Sequence, residues 1–293
     1  MKKRRVILLA AILALASVVT ISVWPDASPE PRYNGRKLSD WVLDYPQAGA
    51  SDEAEAAIRA IGTNAIPCLL RWIQYEPSRG RMKVRHVYRL LPGWLRNRQF
   101  VISFLAGRAG ILSSKAPLAF AVLGTNSAPA VPELMKLAQS TNSVALTAVF
   151  VLSEMRDAGL SGTLTIMTNG TLQQRLLAAR ILQTTLPLYT NAVSAVPALV
   201  ICLHDPDAEI VSVAAMGLAR LKSDPTNVVP ELLATLHHPN ADVRKEAVWA
   251  LYNYGDPATM PALSNCVHDP NPLVREAATR ALEVFRGEVP RMQ

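Results

Sequence analysis

The chain has 293 residues, of which 50% are hydrophobic and 18% charged, against about 25% charged in an average soluble domain, so it can bury a large core. Its three cysteines, Cys68, Cys202 and Cys266, cannot all pair, and because no two are close in sequence we expect buried free thiols rather than a metal or redox site. The formal charge of +7 is concentrated in two places: residues 2–5 carry +4, and residues 71–108 carry nine basic residues against one acid.

The N-terminus has the charge and length pattern of an export signal. Four basic residues precede an uncharged run of nineteen residues, Val6 to Trp24, which as a helix would span about 28 Å, close to the hydrocarbon thickness of a membrane. We predict that residues 1–24 form an uncleaved signal anchor, inserted through residues 6–24; a signal peptide cleaved near Ala16 is the alternative. The basic end then stays in the cytoplasm. The body is expected outside it, periplasmic or extracellular, and is secreted if the signal is cleaved.

Residues 25–32 contain three prolines and predict a short stiff linker. Residues 33–50 predict a turn feeding a helix, with Ser39 as the N-cap and Leu38 packing on Leu43. This helix is expected to cap the exposed first face of the repeats that follow.

A repeat of about 32 residues is clearest in the C-terminal half. Three junctions read LHDP, LHHP and VHDP at residues 203–206, 236–239 and 267–270, and their first histidines are 33 and then 31 residues apart. A one-sided apolar stripe follows each junction, which is typical of an amphipathic helix.

A turn and a second helix follow each of these first helices. The second helices open with Pro230 and Pro261, and proline is tolerated in the first turn of a helix. The same opening recurs at Pro67, Pro132 and Pro197, with 65 residues between successive members, so each gap holds two repeats. Within the second gap we predict a helix over 143–155 followed by a short segment over 161–168.

The chain resembles HEAT repeats, particularly the short HEAT-like type, in three features. Each unit has two antiparallel helices, the first helix starts with Val-Arg (residues 243–244 and 274–275), and the second helix is led by proline. The resemblance covers about residues 51–283, most closely 196–283. It implies an all-α fold, an α-solenoid of about seven HEAT-like helix pairs over residues 51–285, with a tail over 286–293.

The resemblance also implies roles for some charged residues. In HEAT repeats the arginine and a nearby acid stack between neighbouring units, which implies structural roles for Arg244, Arg275 and Asp242. The sequence departs from the pattern at Val211, where the arginine is missing, and across residues 79–112, where the period blurs. Family resemblance implies a fold and a binding habit, not a reaction.

The histidines next to aspartates at 204–205 and 268–269 could suggest a metal or catalytic site. Equal positions of successive repeats are at least about 8–10 Å apart, whereas zinc ligands lie about 2 Å from the metal. We therefore favour a structural turn, and favour a turn over a glycosylation acceptor at Asn169-Gly170-Thr171. The sequence has no phosphate loop, nucleophile elbow, HExxH or CxxC motif, so we predict no enzyme, cofactor or metal.

The basic segment is the non-repeating feature most typical of a binding site. Basic residues mixed with aromatic ones can bind nucleic acid, and equally an anionic headgroup, a cell-wall polymer or an acidic protein. A solvated face on an irregular helix pair, broken at Pro92-Gly93, is the alternative to binding. The candidate partner-binding residues are Arg81, Lys83, Arg85, Arg89, Trp94, Arg96 and Arg98.

These features favour a non-enzymatic protein-interaction scaffold of the bacterial cell envelope, which binds partners on the concave solenoid surface and the basic segment. The alternative is a nucleic-acid-binding or repair-type HEAT protein in the cytoplasm, which would require that residues 1–24 are not an export signal. Export would remove most nucleic acid from reach. A third possibility, a lyase-like HEAT protein that handles a chromophore, would need a nucleophile or pocket that the sequence does not reveal.

Overall fold

A computed structural model describes residues 29–45, 52–76, 99–140 and 143–287. The chain divides into two compact units, the first ending at Leu123 and the second beginning at Gly124. The predicted signal anchor over 1–24 and the candidate binding residues between 81 and 98 lie outside the described residues. None of the described helices combines the length and the apolar character needed to cross a membrane.

The first unit opens with a small hairpin and continues as helices. Strands β1 (Arg32–Tyr33) and β2 (Arg36–Lys37) pair antiparallel, and the turn between them uses positive φ at Asn34 and Gly35. The described helices of this unit are α1 (Leu38–Asp44), α2 (Asp52–Ile61), α3 (Ile66–Ile73) and α4 (Gln99–Leu123). Helix α4 is interrupted at Gly107, whose φ of 64° and ψ of 163° are not helical.

The predicted cap of α1 is wrong in one detail. The helix begins at Leu38 with Lys37 in the N-cap position, so Ser39 lies inside the first turn, where it is buried. The Ser39 N–H donates to a carboxylate oxygen of Glu30 at 3.1 Å, and its hydroxyl accepts from Arg108 at 2.8 Å. A glutamate from upstream therefore satisfies the helix N-terminus in place of a serine cap.

The second unit alternates short and long helices. The short helices are α5 (Val131–Ala138), α7 (Leu160–Asn169), α9 (Val196–Cys202), α11 (Pro225–Thr235) and α13 (Met260–Cys266). The long helices are α6 (Ser143–Glu154), α8 (Leu172–Thr185), α10 (Ala208–Leu221), α12 (Ala241–Tyr254) and α14 (Pro272–Phe285). The predicted fold class, an all-α solenoid of helix pairs, is confirmed.

The long helices form one continuous layer, since α6, α8, α10, α12 and α14 each pack against the next long helix. Each short helix packs most extensively on the long helix that follows it. The repeat unit therefore begins with a short helix and ends with a long one, whereas the junction pattern of the sequence predicts the long helix first. Small buried residues such as Ala214, Ala247 and Ala278, one in each successive long helix, let the helices approach closely.

The turns follow the expected chemistry with one exception. Gly62 and Gly124 have φ of +60° and +55°, the left-handed conformation that commonly ends a helix. Proline stands in the first turn of α3, α5, α9 and α13. Helix α11 instead begins at Pro225, with Asp224 in the left-handed region before it, so Pro230 lies inside the helix rather than at its start.

Candidate interaction surface and inter-repeat contacts

Arginine–aspartate ion pairs join neighbouring repeats of the second unit at two places. Arg244 of α12 binds Asp269, in the turn before α14, through an Nε–Oδ2 distance of 2.7 Å and an Nη2–Oδ1 distance of 2.8 Å. Arg175 of α8 pairs with Asp205, in the turn before α10, with Nε 2.9 Å from Oδ2. The Nε–H of Arg175 does not point at that oxygen, so the second pair is less well aligned than the first.

These contacts decide the structural roles implied by the HEAT resemblance. The role of Arg244 is confirmed. Asp242 as the stacking acid is wrong: its carboxylate is exposed and lies 3.8 Å from Lys245 of its own helix, while Asp269 receives the arginine. Arg275 donates back to the carbonyls of Asp269 and Pro270 at 2.8 and 3.0 Å, which ties the turn to the start of α14.

The aspartates also shape the turns in which they lie. Asp205 Oδ1 accepts from the N–H of Asp207 at 2.9 Å, and Asp269 Oδ1 accepts from the N–H of Asn271 at 2.8 Å. At the same position of the intervening repeat, His238 Nδ1 accepts from the N–H of Asn240 at 3.1 Å. The aspartates of the two His-Asp junctions therefore have the predicted structural role in the turn, and His238 makes the same bond in the intervening repeat.

We call the passage from one long helix to the next a step. Arg175, Val211 and Arg244 each stand four positions after a helix N-cap, and Asp205, His238 and Asp269 each stand two positions before the next one. The residues that occupy these two positions at successive steps are Leu146 and Asn169, Arg175 and Asp205, Val211 and His238, and Arg244 and Asp269. Ion pairs therefore alternate with uncharged steps. At Val211, where the arginine is missing, the matching turn residue is His238 and not an acid.

The described histidines are exposed or lie in turns, and the three cysteines are buried. His204 Nε2 lies 2.9 Å from Glu231 Oε2, and both side chains are exposed. Over the described residues, no group of histidines, cysteines and acids is placed to hold a metal ion. Burial raises the pKa of Cys202 to about 12 and also raises the pKa of Cys266. Both thiols therefore stay protonated at neutral pH and are poor nucleophiles.

Two members of the basic segment lie within the described residues. Arg71 is exposed on α3. Arg108 pairs with Asp40 at 2.6 Å, and this hydrogen bond holds the pKa of the Asp40 carboxyl below its ordinary value. Arg108 is therefore neutralised within the first unit, and the candidate patch depends on the residues between 81 and 98.

From α7 onward, charge is segregated between the two kinds of helix, whereas the short helix α5 carries Glu133 and Lys136 and the long helix α6 carries Glu154 alone. Helix α8 carries two basic residues, and the long helices α10, α12 and α14 each carry both basic and acidic residues. The short helices α7, α9, α11 and α13 carry one charged residue in all, Glu231. Their exposed positions include Thr165, Ile201, Ala234 and Asn265, which share one register position, and Ile201 is 60% exposed. We call the exposed residues of these four helices the short-helix face.

A cleft of about 670 Å³ lies at the first uncharged step, among α5, α6, α7 and the start of α8. Met135, Ala145, Leu146, Ile166 and Leu172 supply its apolar surface. The amide side chains of Gln139, Asn169 and Gln173 lie at its exposed edges. None of the described residues that line it carries a charge. The cleft was not foreseen, although Leu146 and Asn169 in place of arginine and aspartate are visible in the aligned repeats.

The family model for HEAT repeats matches residues 196–283. No curated protein sequence matches the chain significantly. Among solved structures, an engineered protein is 20% identical over 85% of this chain and 77% of its own, with a TM-score of 0.44. A second engineered protein is 19% identical over 85% and 96%, with a TM-score of 0.31. Human deoxyhypusine hydroxylase in complex with glycerol is 17% identical over 95% and 99%, with a TM-score of 0.35.

Proposed function

We propose that this chain is a non-enzymatic scaffold that binds protein partners on the short-helix face. The observation that carries the proposal is the segregation of charge: the exposed short helices α7, α9, α11 and α13 hold one charged residue among them, whereas the neighbouring long helices are charged. HEAT repeats match residues 196–283, and stacked repeats of this kind build extended binding surfaces.

The physical reason lies in desolvation. The buried centre of a protein interface is depleted of charged residues, because a charge that loses its hydration without a partner costs several kcal/mol. The short-helix face already meets this requirement and also exposes apolar groups such as Ile201 and Pro197. A partner can therefore cover it without stranding a buried charge.

The proposal also includes a place in the cell. The basic residues 2–5 and the apolar run over residues 6–24 support a membrane anchor, with the repeats outside the cytoplasm in the cell envelope. There the basic segment would provide a second contact, suited to an anionic surface or an acidic protein. A fusion of residues 1–30 to a reporter that is active only outside the cytoplasm tests this part. An inactive but stable fusion would contradict it.

In-cell cross-linking followed by affinity capture tests the scaffold. The variant Ile201→Lys with Ala234→Lys places two charges on the short-helix face, at exposed positions of α9 and α11. We expect it to capture its partners at least tenfold less well than the unmodified chain. The matched control is Leu273→Lys with Thr279→Lys, which adds two lysines to exposed positions of the charged helix α14. Equal capture by both variants would refute the proposal.

A further inference from the structure

The cleft at the first step stands where two of the three other steps have an arginine–aspartate pair. Leu146 has the helix position of Arg175 and Arg244, and Asn169, the last residue of α7, stands two residues before the N-cap of α8, as Asp205 and Asp269 do before theirs. Both Leu146 and Asn169 line the cleft. The substitution removes the long guanidinium side chain and both charges, and leaves a lined space instead.

The other uncharged step does not open in this way. Val211 is completely buried, so the packing of α10 closes that position. Leu146 remains 38% exposed, and Leu172 across the cleft is 48% exposed. Two large apolar side chains thus face solvent on either side of one concavity, an arrangement that costs free energy unless something covers it.

The frame of the cleft is fixed by buried hydrogen bonds. Gln174, which is buried, donates from Nε2 to the carbonyl of Ala138 at 2.5 Å and accepts at Oε1 from the N–H of Thr171 at 2.9 Å. Arg175 donates to the carbonyl of Gly170 at 3.0 Å. These bonds join the end of α5 to the start of α8, so the site is organised before a ligand arrives.

The lining selects the chemistry of the occupant. A charged group would lose hydration there without finding a countercharge among the lining residues. An apolar side chain would cover Leu146 and Leu172, and the amide edges can exchange hydrogen bonds with peptide groups. A volume of about 670 Å³ falls within the range of about 300–1,000 Å³ typical of pockets that enclose a drug-sized molecule, which leaves room for an inserted side chain and its adjoining peptide groups.

We propose that this cleft binds an uncharged polypeptide segment of a partner, with one aliphatic or aromatic side chain inserted between Leu146 and Leu172. The inference rests on the proposed scaffold function and names the partner chemistry for one site. The amides of Gln139, Asn169 and Gln173 hold the peptide groups on either side of the inserted side chain.

A phage-displayed library of random heptapeptides, selected on the full-length chain, provides the probe. Enriched sequences are synthesised and their affinities measured by fluorescence anisotropy. We expect enrichment of uncharged sequences that share one aliphatic or aromatic residue. No enrichment, or enrichment of charged sequences, would overturn the assignment.

The decisive variant restores the missing ion pair. Leu146→Arg with Asn169→Asp installs the residues found at the steps of Arg175 and Arg244, so it should fill the cleft while keeping the fold. We expect the selected peptide to bind at least tenfold more weakly. The control Leu273→Arg makes the same change at a leucine of α14 outside the cleft, 52% exposed, and should bind within twofold of the unmodified chain.

A second variant, Gln173→Glu, tests the site even if the first variant misfolds. It is nearly isosteric, suits the first turn of α8, and adds one charge at the edge of the cleft. We expect at least threefold weaker binding, and unchanged binding in both variants would overturn the site.

The cleft and the scaffold surface can fail separately. If Leu146→Arg with Asn169→Asp loses the peptide and Ile201→Lys with Ala234→Lys still captures partners, the scaffold surface is wrong and the cleft stands. If instead the cleft variant still binds the peptide and Ile201→Lys with Ala234→Lys loses its partners, the scaffold surface stands and the cleft assignment is wrong.

Discussion

Replacing Asp269 by asparagine removes one charge from the best-aligned contact between repeats and leaves its turn intact. The asparagine oxygen can still accept from the Asn271 N–H, as Asp269 does at 2.8 Å, but Arg244 loses its anion. The two side chains are only 13% and 9% exposed. Removing one partner of a fully buried pair costs about 3–5 kcal/mol; Arg244 keeps two carbonyl bonds, at 2.9 and 3.0 Å, so we expect about 2 kcal/mol.

Hydrogen exchange of peptides from α12 to α14 measures this loss locally, which suits a stack whose repeats need not unfold together. A loss of about 2 kcal/mol corresponds to roughly thirtyfold faster exchange. The matched control is His238→Ala, at the same turn position, whose side chain receives no arginine; it keeps the carbonyl that binds Arg244 at 2.9 Å and loses one side-chain hydrogen bond, about 1 kcal/mol. Exchange in Asp269→Asn no faster than in the control would refute the role of the ion pair.

The ion pair also predicts a pH dependence. The hydrogen bond from Arg244 holds the pKa of Asp269 below its ordinary value of 3.8, against the opposing effect of burial. A folded-state pKa that is lowered gives stability that is complete above the unfolded-state pKa and is lost as pH falls through the folded-state value. The difference between the unmodified chain and Asp269→Asn should therefore be constant from about pH 7 to 5 and shrink below about pH 4.

Three further predictions concern other parts of the chain. Gly159→Ala should destabilise the second unit by about 3 kcal/mol, because a Cβ would lie 1.8 Å from the carbonyl oxygen of Leu152; a chemical denaturation midpoint equal to that of the unmodified chain would contradict this. Cys202, buried and with its pKa raised to about 12, should resist iodoacetamide at pH 8 until urea unfolds the chain, and native labelling would contradict this. Serine at four basic positions should leave the circular dichroism spectrum nearly unchanged and weaken partner capture, whereas unchanged capture would defeat the binding patch. The four positions are Arg81, Arg85, Arg96 and Arg98.

Much of the second unit could be predicted from the sequence because its signals are local. Apolar spacing locates the long helices, and proline marks the start of α5, α9 and α13. Glycine at position 124 marks a left-handed turn. Each signal depends on the backbone preferences of one residue or on the period of one helix.

The partners across repeats could not be predicted in the same way. Asp242 is next but one to Arg244 in sequence, yet Arg244 meets Asp269 of the following repeat. Which acid an arginine reaches depends on the lateral offset between two long helices, which packing sets and local propensity does not. Arg175 carried a signal that could have been read, since it stands four residues after its N-cap, as Arg244 does.

The cleft was missed for a related reason. Leu146 and Asn169 look ordinary in isolation, a leucine on a helix and an asparagine at the end of one. Only the aligned steps show that they replace an arginine and an aspartate, and only the structure shows that the space stays open while Val211 closes its own.

The most direct test of the central claim is site-specific photo-cross-linking in living cells, with the probe at Ile201 on the short-helix face and, for comparison, at Arg280 on the charged surface of α14. The account predicts discrete protein adducts from position 201 and none from position 280. Adducts from position 280 alone, or none from position 201, would contradict a scaffold that binds its partners on the short-helix face.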